Sequence, residues 1–127
     1  MRTVLTVVIA SLLGASSSAQ STFKSATRAV QRNMNTEAGK AYDDAFGKEF
    51  ARQNASSMQR CTRDAAAEDL ASFEILARVS VNGRLEKVLV KPLTAVARCI
   101  RGAVSTERFP KPPAPHYWVR VHMSIKE

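Results

Sequence analysis

The chain has 127 residues, of which 45% are hydrophobic and 24% charged; this length predicts one domain with a modest core. Its 19 basic and 11 acidic side chains give a net charge of +8, which favours anionic partners such as envelope polymers, lipid headgroups or acidic proteins. The alternative is that the basic surplus only keeps the surface solvated.

The first nineteen residues have the layout of a secretory signal peptide. Arg2 is followed by an apolar run over residues 4–13 and by the small residues Ser17, Ser18 and Ala19, which form a cleavage site. The run is shorter than the ~20 residues of a membrane-spanning helix, so a retained anchor is the weaker alternative. We therefore predict an exported chain that begins near residue 20, carries a net charge of about +7, has no stable membrane anchor and does not bind nucleic acid.

Residues 20–60 are predicted to be helical. Apolar residues recur at helical spacing in the first part, at positions 23, 26, 30 and 34, but this stripe is thin. A second amphipathic helix is predicted from its N-cap Thr36 to Arg52, followed by a short turn that Asn54 or Ser56 would cap. The apolar stripe of this second helix comprises Ala38, Tyr42, Ala45, Phe46 and Phe50.

A β-hairpin is predicted over residues 72–91. Asn82 and Gly83 separate two runs of alternating apolar residues, which is the pattern of a two-residue type I′ turn. Such a turn would place residue 81 opposite residue 84 and residue 79 opposite residue 86. One face of the hairpin would then belong to the core, formed by Phe73, Ile75, Ala77, Val79, Val88 and Val90.

The remaining elements complete a small sheet. Pro92 ends the second strand and precedes a helix over residues 93–106, the proline-rich segment 109–115 forms a stiff connector, and residues 116–126 alternate as a third strand. Because the helix returns the chain to the starting end of the sheet, the third strand is expected beside the first. These elements predict an α+β fold with a three-stranded antiparallel sheet of order 2-1-3 and helices packed on one face.

Cys61 and Cys99 are the two cysteines of the chain. In an exported protein, an even number of cysteines favours a disulfide. Closing a loop of this length would stabilise the fold by roughly 3–4.5 kcal/mol. Two buried free thiols are the alternative.

The second face of the sheet is the candidate binding surface. The residues expected there are Leu76, Arg78, Leu85, Lys87, Leu89, Trp118 and Arg120. An apolar patch with a basic rim is typical of a recognition surface. In a second mode of binding, a partner would add a strand to an exposed sheet edge. Alternatively, Lys87 and Lys91 would guard that edge against such pairing. The alternative to an open face is that helix 36–52, or the segment before it, folds over it.

No catalytic residue, metal site or cofactor site is predicted. His116 and His122 would share one face of a strand but lie about 20 Å apart, too far to bind one metal ion. The sequence has no glycine-rich phosphate loop after a strand, and none of its serines lies in a nucleophile-elbow motif. We therefore expect a binding protein and not an enzyme.

Residues 61–127 resemble the TonB C-terminal-like domains of Gram-negative envelopes. The resemblance rests on Cys61, the strand FEILARVSV, the segment NGRLEKVLV, the helix with Cys99, the FPKPP motif and the closing strand HYWVRVHMSI. It implies a three-stranded antiparallel sheet with helices on one side, and in TonB itself this domain engages an extended peptide of outer-membrane transporters. The chain has no long proline-rich spacer and no predicted retained anchor, so the resemblance implies a stand-alone periplasmic module without an energy-transducing role.

These observations lead us to expect a soluble periplasmic protein-binding module. It would bind an extended peptide or an acidic protein surface through its open sheet face or through an edge strand. Two alternatives from other classes are a small periplasmic inhibitor or immunity protein directed against a toxin, and a structural envelope protein held to anionic polymers. Homodimerisation is left open.

Overall fold

The computed structural model describes the backbone of residues 15–125 and the side chains of residues 22–125. Residues 1–14 of the predicted signal peptide lie outside the described residues, and residues 15–19 begin the first helix. A single turn of 3-10 helix lies at Ala67–Leu70. The main elements are, in chain order, α1 (Ala15–Met34), α2 (Glu37–Thr62), β1 (Phe73–Val79), β2 (Leu85–Lys91), α3 (Ala95–Val104) and β3 (Tyr117–Met123).

The three strands form one sheet of order β2-β1-β3, in which β1 is antiparallel to both neighbours. The predicted α+β class and strand order are confirmed. Helices α2 and α3 pack on one face of the sheet, where Phe46 and Ile100 join Ile75 and Val79 in the main core. Helix α1 packs on the opposite face.

Helix α2 is longer than the sequence predicted. Thr36 caps it as expected, since its hydroxyl accepts a hydrogen bond from the Gly39 N–H at 2.9 Å. The helix continues to Thr62, however, and the prediction of a separate turn capped by Asn54 is wrong. The buried Asn54 amide donates to the Phe50 carbonyl at 3.0 Å and to Glu107 Oε1 at 2.7 Å, so its donors are satisfied without a break in the helix.

The turn between β1 and β2 contains three residues instead of two. The Gly83 N–H donates to the Ser80 carbonyl at 2.9 Å, and the Ser80 N–H donates to the Arg84 carbonyl at 2.8 Å. Gly83 has a φ of 85°, whereas Asn82 is not in the left-handed region. This arrangement is a type I turn followed by a glycine in the αL conformation. An Asn-Gly pair suits this turn as well as it suits a type I′ turn.

The three-residue turn changes the pairing next to it. Val79 faces Leu85, one residue away from the predicted partner Glu86. Glu86 is an extra residue in β2, and it restores the predicted register from the pair Arg78 and Lys87 onward. As a result, Leu85 packs against the core on the α2–α3 side. Its predicted place in the opposite, binding face is wrong.

Covalent and aromatic contacts hold the helices to the rest of the domain. Cys61 at the end of α2 and Cys99 in α3 form a disulfide, as predicted, with Cα atoms 5.6 Å apart. The Phe109 ring stacks on Phe46, with centroids 4.2 Å apart. The Tyr42 hydroxyl donates to the Pro110 carbonyl at 2.8 Å. The proline-rich segment is thereby fixed to α2 before the chain enters β3.

Candidate functional site

The sheet face opposite α2 and α3, called here the outer face, is covered by α1. Leu76 is 0% exposed and packs against Ala26 and Val30 of α1. Leu89 and Trp118 surround this cluster and are half-buried. The expectation of an open face is therefore wrong, and the alternative in which the segment before helix 36–52 folds over it is confirmed.

The position of α1 follows from its sequence and from the short connection to α2. Ala26 and Val30 lie one turn apart and form the centre of the buried side of α1, with Phe23 and Met34 at its two ends. Only residues 35 and 36 separate α1 from α2. Both helices contact β3, so the chain passes around the edge of this strand and places the two helices on opposite faces.

Arg78, predicted as part of a basic rim, is engaged within the fold. Its guanidinium lies over the Trp118 ring, 5.8 Å from the ring centroid. Its Nε lies 3.7 Å from a carboxylate oxygen of Glu86, and His116 Nδ1 lies 2.8 Å from the same oxygen. These contacts fix the hairpin end of the outer face and leave Arg78 poorly placed to contact a partner.

The free edge of β2 carries several features that oppose pairing with another strand. Lys87 and Lys91 are exposed there, and the extra residue Glu86 interrupts the regular strand. At the hairpin end, Arg84 forms an antiparallel bridge with Arg108. Charged side chains, irregular pairing and coverage by another segment are the means by which proteins protect sheet edges. That Lys87 and Lys91 guard this edge stays a prediction.

The outer edge of β3 is closed at its beginning. Backbone groups of alternate residues point to opposite edges of a strand. The Ser80 N–H donates toward β2, so the backbone groups of Arg78 also point to β2. Trp118 faces Arg78, and its own N–H and carbonyl therefore point away from β1. The Asn33 side-chain amide of α1 donates to this carbonyl at 3.1 Å.

The second half of the same edge is free. By the same alternation, the N–H and carbonyl groups of Arg120 and His122 point away from β1. Within residues 15–125, β3 forms a backbone ladder with β1 alone, and no other backbone hydrogen bond reaches these two residues. Arg120, one of the predicted binding residues, is exposed at this position. The edge therefore presents two donors and two acceptors for another chain.

A concavity of about 330 Å³ lies beside this free edge, between β3 and α2. Small residues at positions 47, 51 and 55 of α2 recur every four residues on one side of the helix and leave room there. Sequence reasoning missed this groove, although the four-residue spacing of Gly and Ala was a visible signal. Its lining comprises Gly47, Phe50, Ala51, Asn54, Ala55, Met58, Val121, His122 and Met123.

Two carboxyl groups, Asp43 on α2 and Glu107 beyond the end of α3, have raised pKa values. Burial raises the pKa of Asp43, while the nearby Arg120 opposes this rise. Burial also raises the pKa of Glu107, although the hydrogen bond from Asn54 favours the charged form. Both groups therefore bind a proton more readily in the folded chain than in water.

The two histidines of the outer face lie apart, as the sequence predicted. His116 pairs with Glu86, whereas His122 Nδ1 lies 4.0 Å from Glu74 at the other end of the sheet. Within the described part of the chain, no three His, Cys, Asp or Glu side chains come together as a group that could hold a metal ion. The free edge of β3 therefore offers hydrogen-bonding backbone groups, an apolar groove and the exposed side chain of Arg120.

Comparison with protein-family models, with curated proteins and with solved structures finds no match for this chain. Among residues 15–125, none of the helices combines the length and the apolar character that crossing a membrane requires.

Proposed function

We propose that the protein is an exported protein-binding module that binds an extended segment of its partner by strand addition to the outer edge of β3. The observation that carries this proposal is the free stretch at Arg120 and His122, where outward backbone groups lie beside the α2 groove. Strand addition gains affinity from main-chain hydrogen bonds and selectivity from pockets for alternate side chains. Both requirements are present at this one edge.

The competing surfaces are less suitable. A partner that used Leu76 on the outer face would have to displace α1, because that residue is 0% exposed. A partner that used β2 would meet Lys87, Lys91 and the irregularity at Glu86. We therefore propose that the partner binds at the edge of β3 and not on the outer face around Leu76.

The proposed export of the protein and its assignment as a peptide-binding module rest on the sequence. The signal-peptide layout of residues 1–19 supports export, and the disulfide between Cys61 and Cys99 is compatible with an oxidising compartment. The resemblance of residues 61–127 to TonB C-terminal-like domains supports a periplasmic module that binds an extended peptide. We propose a stand-alone binding role for this module.

Proline substitutions at two adjacent positions of β3 test the proposal. Peptides are first selected by display against the full chain, and their dissociation constants are then measured for each variant. His122→Pro removes an N–H that points outward, so it leaves the ladder to β1 intact. It should weaken binding about tenfold or more, because a backbone hydrogen bond and the close approach of the added strand are both lost.

Val121→Pro is the matched control, since it removes an N–H that points toward Ile75 of β1 and should destabilise the fold. Gly47→Leu supplies an independent test, because its side chain would fill the groove where nothing now lies within 4 Å of a Cβ. It should weaken peptide binding and leave the melting temperature nearly unchanged. Peptides that bind the His122→Pro and Gly47→Leu variants as tightly as the wild type would refute the proposal.

A further inference from the structure

Helix α1 carries a basic stripe on the side that faces away from the sheet. Lys24, Arg28 and Arg32 follow one another at intervals of four residues, opposite the buried Ala26 and Val30. All three basic side chains are exposed, and none forms an ion pair with another residue of the described chain. Residues 15–34 contain no acidic side chain at all.

The net charge of the domain is concentrated on this side. Residues 15–125 contain 17 basic and 10 acidic side chains, a net charge of +7. The strands of the outer face and α1 together carry seven of the basic side chains and two of the acidic ones, and thus +5 of that charge. Both acidic side chains already pair within the face, Glu86 with His116 and Glu74 with His122. The seven basic residues are Lys24, Arg28, Arg32, Arg78, Lys87, Lys91 and Arg120.

We propose that this basic side of the domain docks on the surface of an anionic lipid bilayer. The stripe spans eight residues of the helix, about 12 Å, and all three of its basic side chains are exposed. A row of exposed positive charges over this length fits an extended anionic surface better than a small ligand. The apolar side of α1 is already packed on Leu76, so the attraction is electrostatic and reversible, and nothing needs to insert into the acyl chains.

The sequence before α1 supports a bilayer over a soluble acidic polymer. The apolar run over residues 4–13 ends immediately before the start of α1 at Ala15. As the apolar region of the predicted signal peptide, this run would bring the neighbouring basic stripe to a membrane during export. The docking surface lies on α1 and is distinct from the free edge of β3, so this inference does not rest on the proposed binding of an extended segment.

Vesicle sedimentation tests the inference with two triple variants of the full chain. The first, Lys24→Gln, Arg28→Gln and Arg32→Gln, removes the stripe. The second, Arg60→Gln, Arg63→Gln and Arg98→Gln, removes the same charge from exposed positions outside α1 and the sheet. Each protein is mixed with vesicles of phosphatidylglycerol and phosphatidylcholine and with vesicles of phosphatidylcholine alone. Circular dichroism verifies that both variants keep their helices, as expected because glutamine is a good helix former.

The wild type should bind the anionic vesicles, and added salt should release it because exposed charges are screened. Loss of the α1 stripe should lower the partition coefficient about fivefold for each charge, and about a hundredfold in total. The partition coefficient of the control variant should fall much less. Any binding through residues 1–14 is the same in both variants, so it does not affect the comparison. The inference would be overturned if both variants lost the same amount of vesicle binding, or if the wild type bound neutral vesicles as well as anionic ones. It would also be overturned if the wild type did not bind anionic vesicles, or if it bound soluble polyglutamate more strongly than anionic vesicles.

Discussion

Replacing Gly83 with alanine is expected to destabilise the protein because two independent features require glycine there. Its φ of 85° lies in the left-handed region, which side chains disfavour. A Cβ atom at this position would also lie 2.0 Å from the Phe109 carbonyl oxygen. The Phe109 N–H donates to the Gly83 carbonyl at 2.9 Å, so the two backbones cannot separate without loss of that hydrogen bond.

The expected cost can be estimated from these contacts. The left-handed conformation costs a residue with a Cβ about 1–2 kcal/mol. Separation of the two backbones adds about 1 kcal/mol for the lost hydrogen bond. It also loosens Phe109, which is 7% exposed and stacked on Phe46. We therefore expect Gly83→Ala to lower the free energy of unfolding by about 2–4 kcal/mol, a large part of the roughly 5–15 kcal/mol typical of a domain.

Urea unfolding followed by circular dichroism measures this loss, and Gly102→Ala is the matched control. Gly102 lies inside α3, and nothing lies within 4 Å of a Cβ added there. That substitution should raise the free energy of unfolding by up to about 1 kcal/mol, since alanine favours a helix over glycine. If Gly83→Ala changed stability by less than about 0.5 kcal/mol, the account of the hairpin and its contact with Phe109 would be refuted.

Three further outcomes are expected. Serine at both Cys61 and Cys99 should lower the free energy of unfolding by roughly 3–4.5 kcal/mol, because it frees a loop of 38 residues in the unfolded chain; a loss under about 1 kcal/mol would contradict this. The raised pKa of Glu107 means that its folded form holds a proton more tightly, so its contribution to stability falls as pH rises above the ordinary pKa of 4.5. Glu107→Gln keeps an acceptor for Asn54 and should raise the melting temperature at pH 7 but not near pH 4; equal effects at both would count against burial as the cause. Leu76→Ala should cost roughly 2–5 kcal/mol in urea unfolding, and a smaller cost would show that α1 packs only loosely on the outer face.

The strand order was predictable from local patterns, and the disulfide was predictable because the chain has two cysteines and an exported protein favours pairing them. Alternating apolar residues define the three strands, and the helix between β2 and β3 fixes where the last strand returns. The register beside the turn was not predictable in the same way. An Asn-Gly pair suits a two-residue turn and also a three-residue turn with Gly83 in the αL conformation, and the choice moved Leu85 to the other face.

The position of α1 could not be decided from sequence either. Its apolar stripe of Ala26 and Val30 is thin, and both faces of the predicted sheet offered apolar residues to pack against. The short connection at residues 35 and 36 leads the chain around β3 to the outer face, because α2 and α3 already pack on the other face. With α1 on the outer face, the predicted patch around Leu76 became buried and the free stretch moved to the edge of β3.

The free edge itself depends on facts that only the assembled fold supplies. The backbone groups of Arg120 and His122 point outward because of the way β1 pairs with both of its neighbours. The groove beside them requires α2 to continue beyond Arg52, which the sequence pattern did not indicate. The small residues at positions 51 and 55 gain meaning only once that continuation places them opposite β3.

Amide hydrogen exchange of the full chain, with and without a selected peptide, tests the central claim most directly. The amides of Arg120 and His122 point away from β1 and should exchange rapidly in the free protein, whereas those of Val121 and Met123 should be protected by the β1 ladder. Addition of the peptide should slow exchange at Arg120 and His122 specifically. Slowed exchange on α1 or β2, with these two amides unchanged, would contradict strand addition at β3.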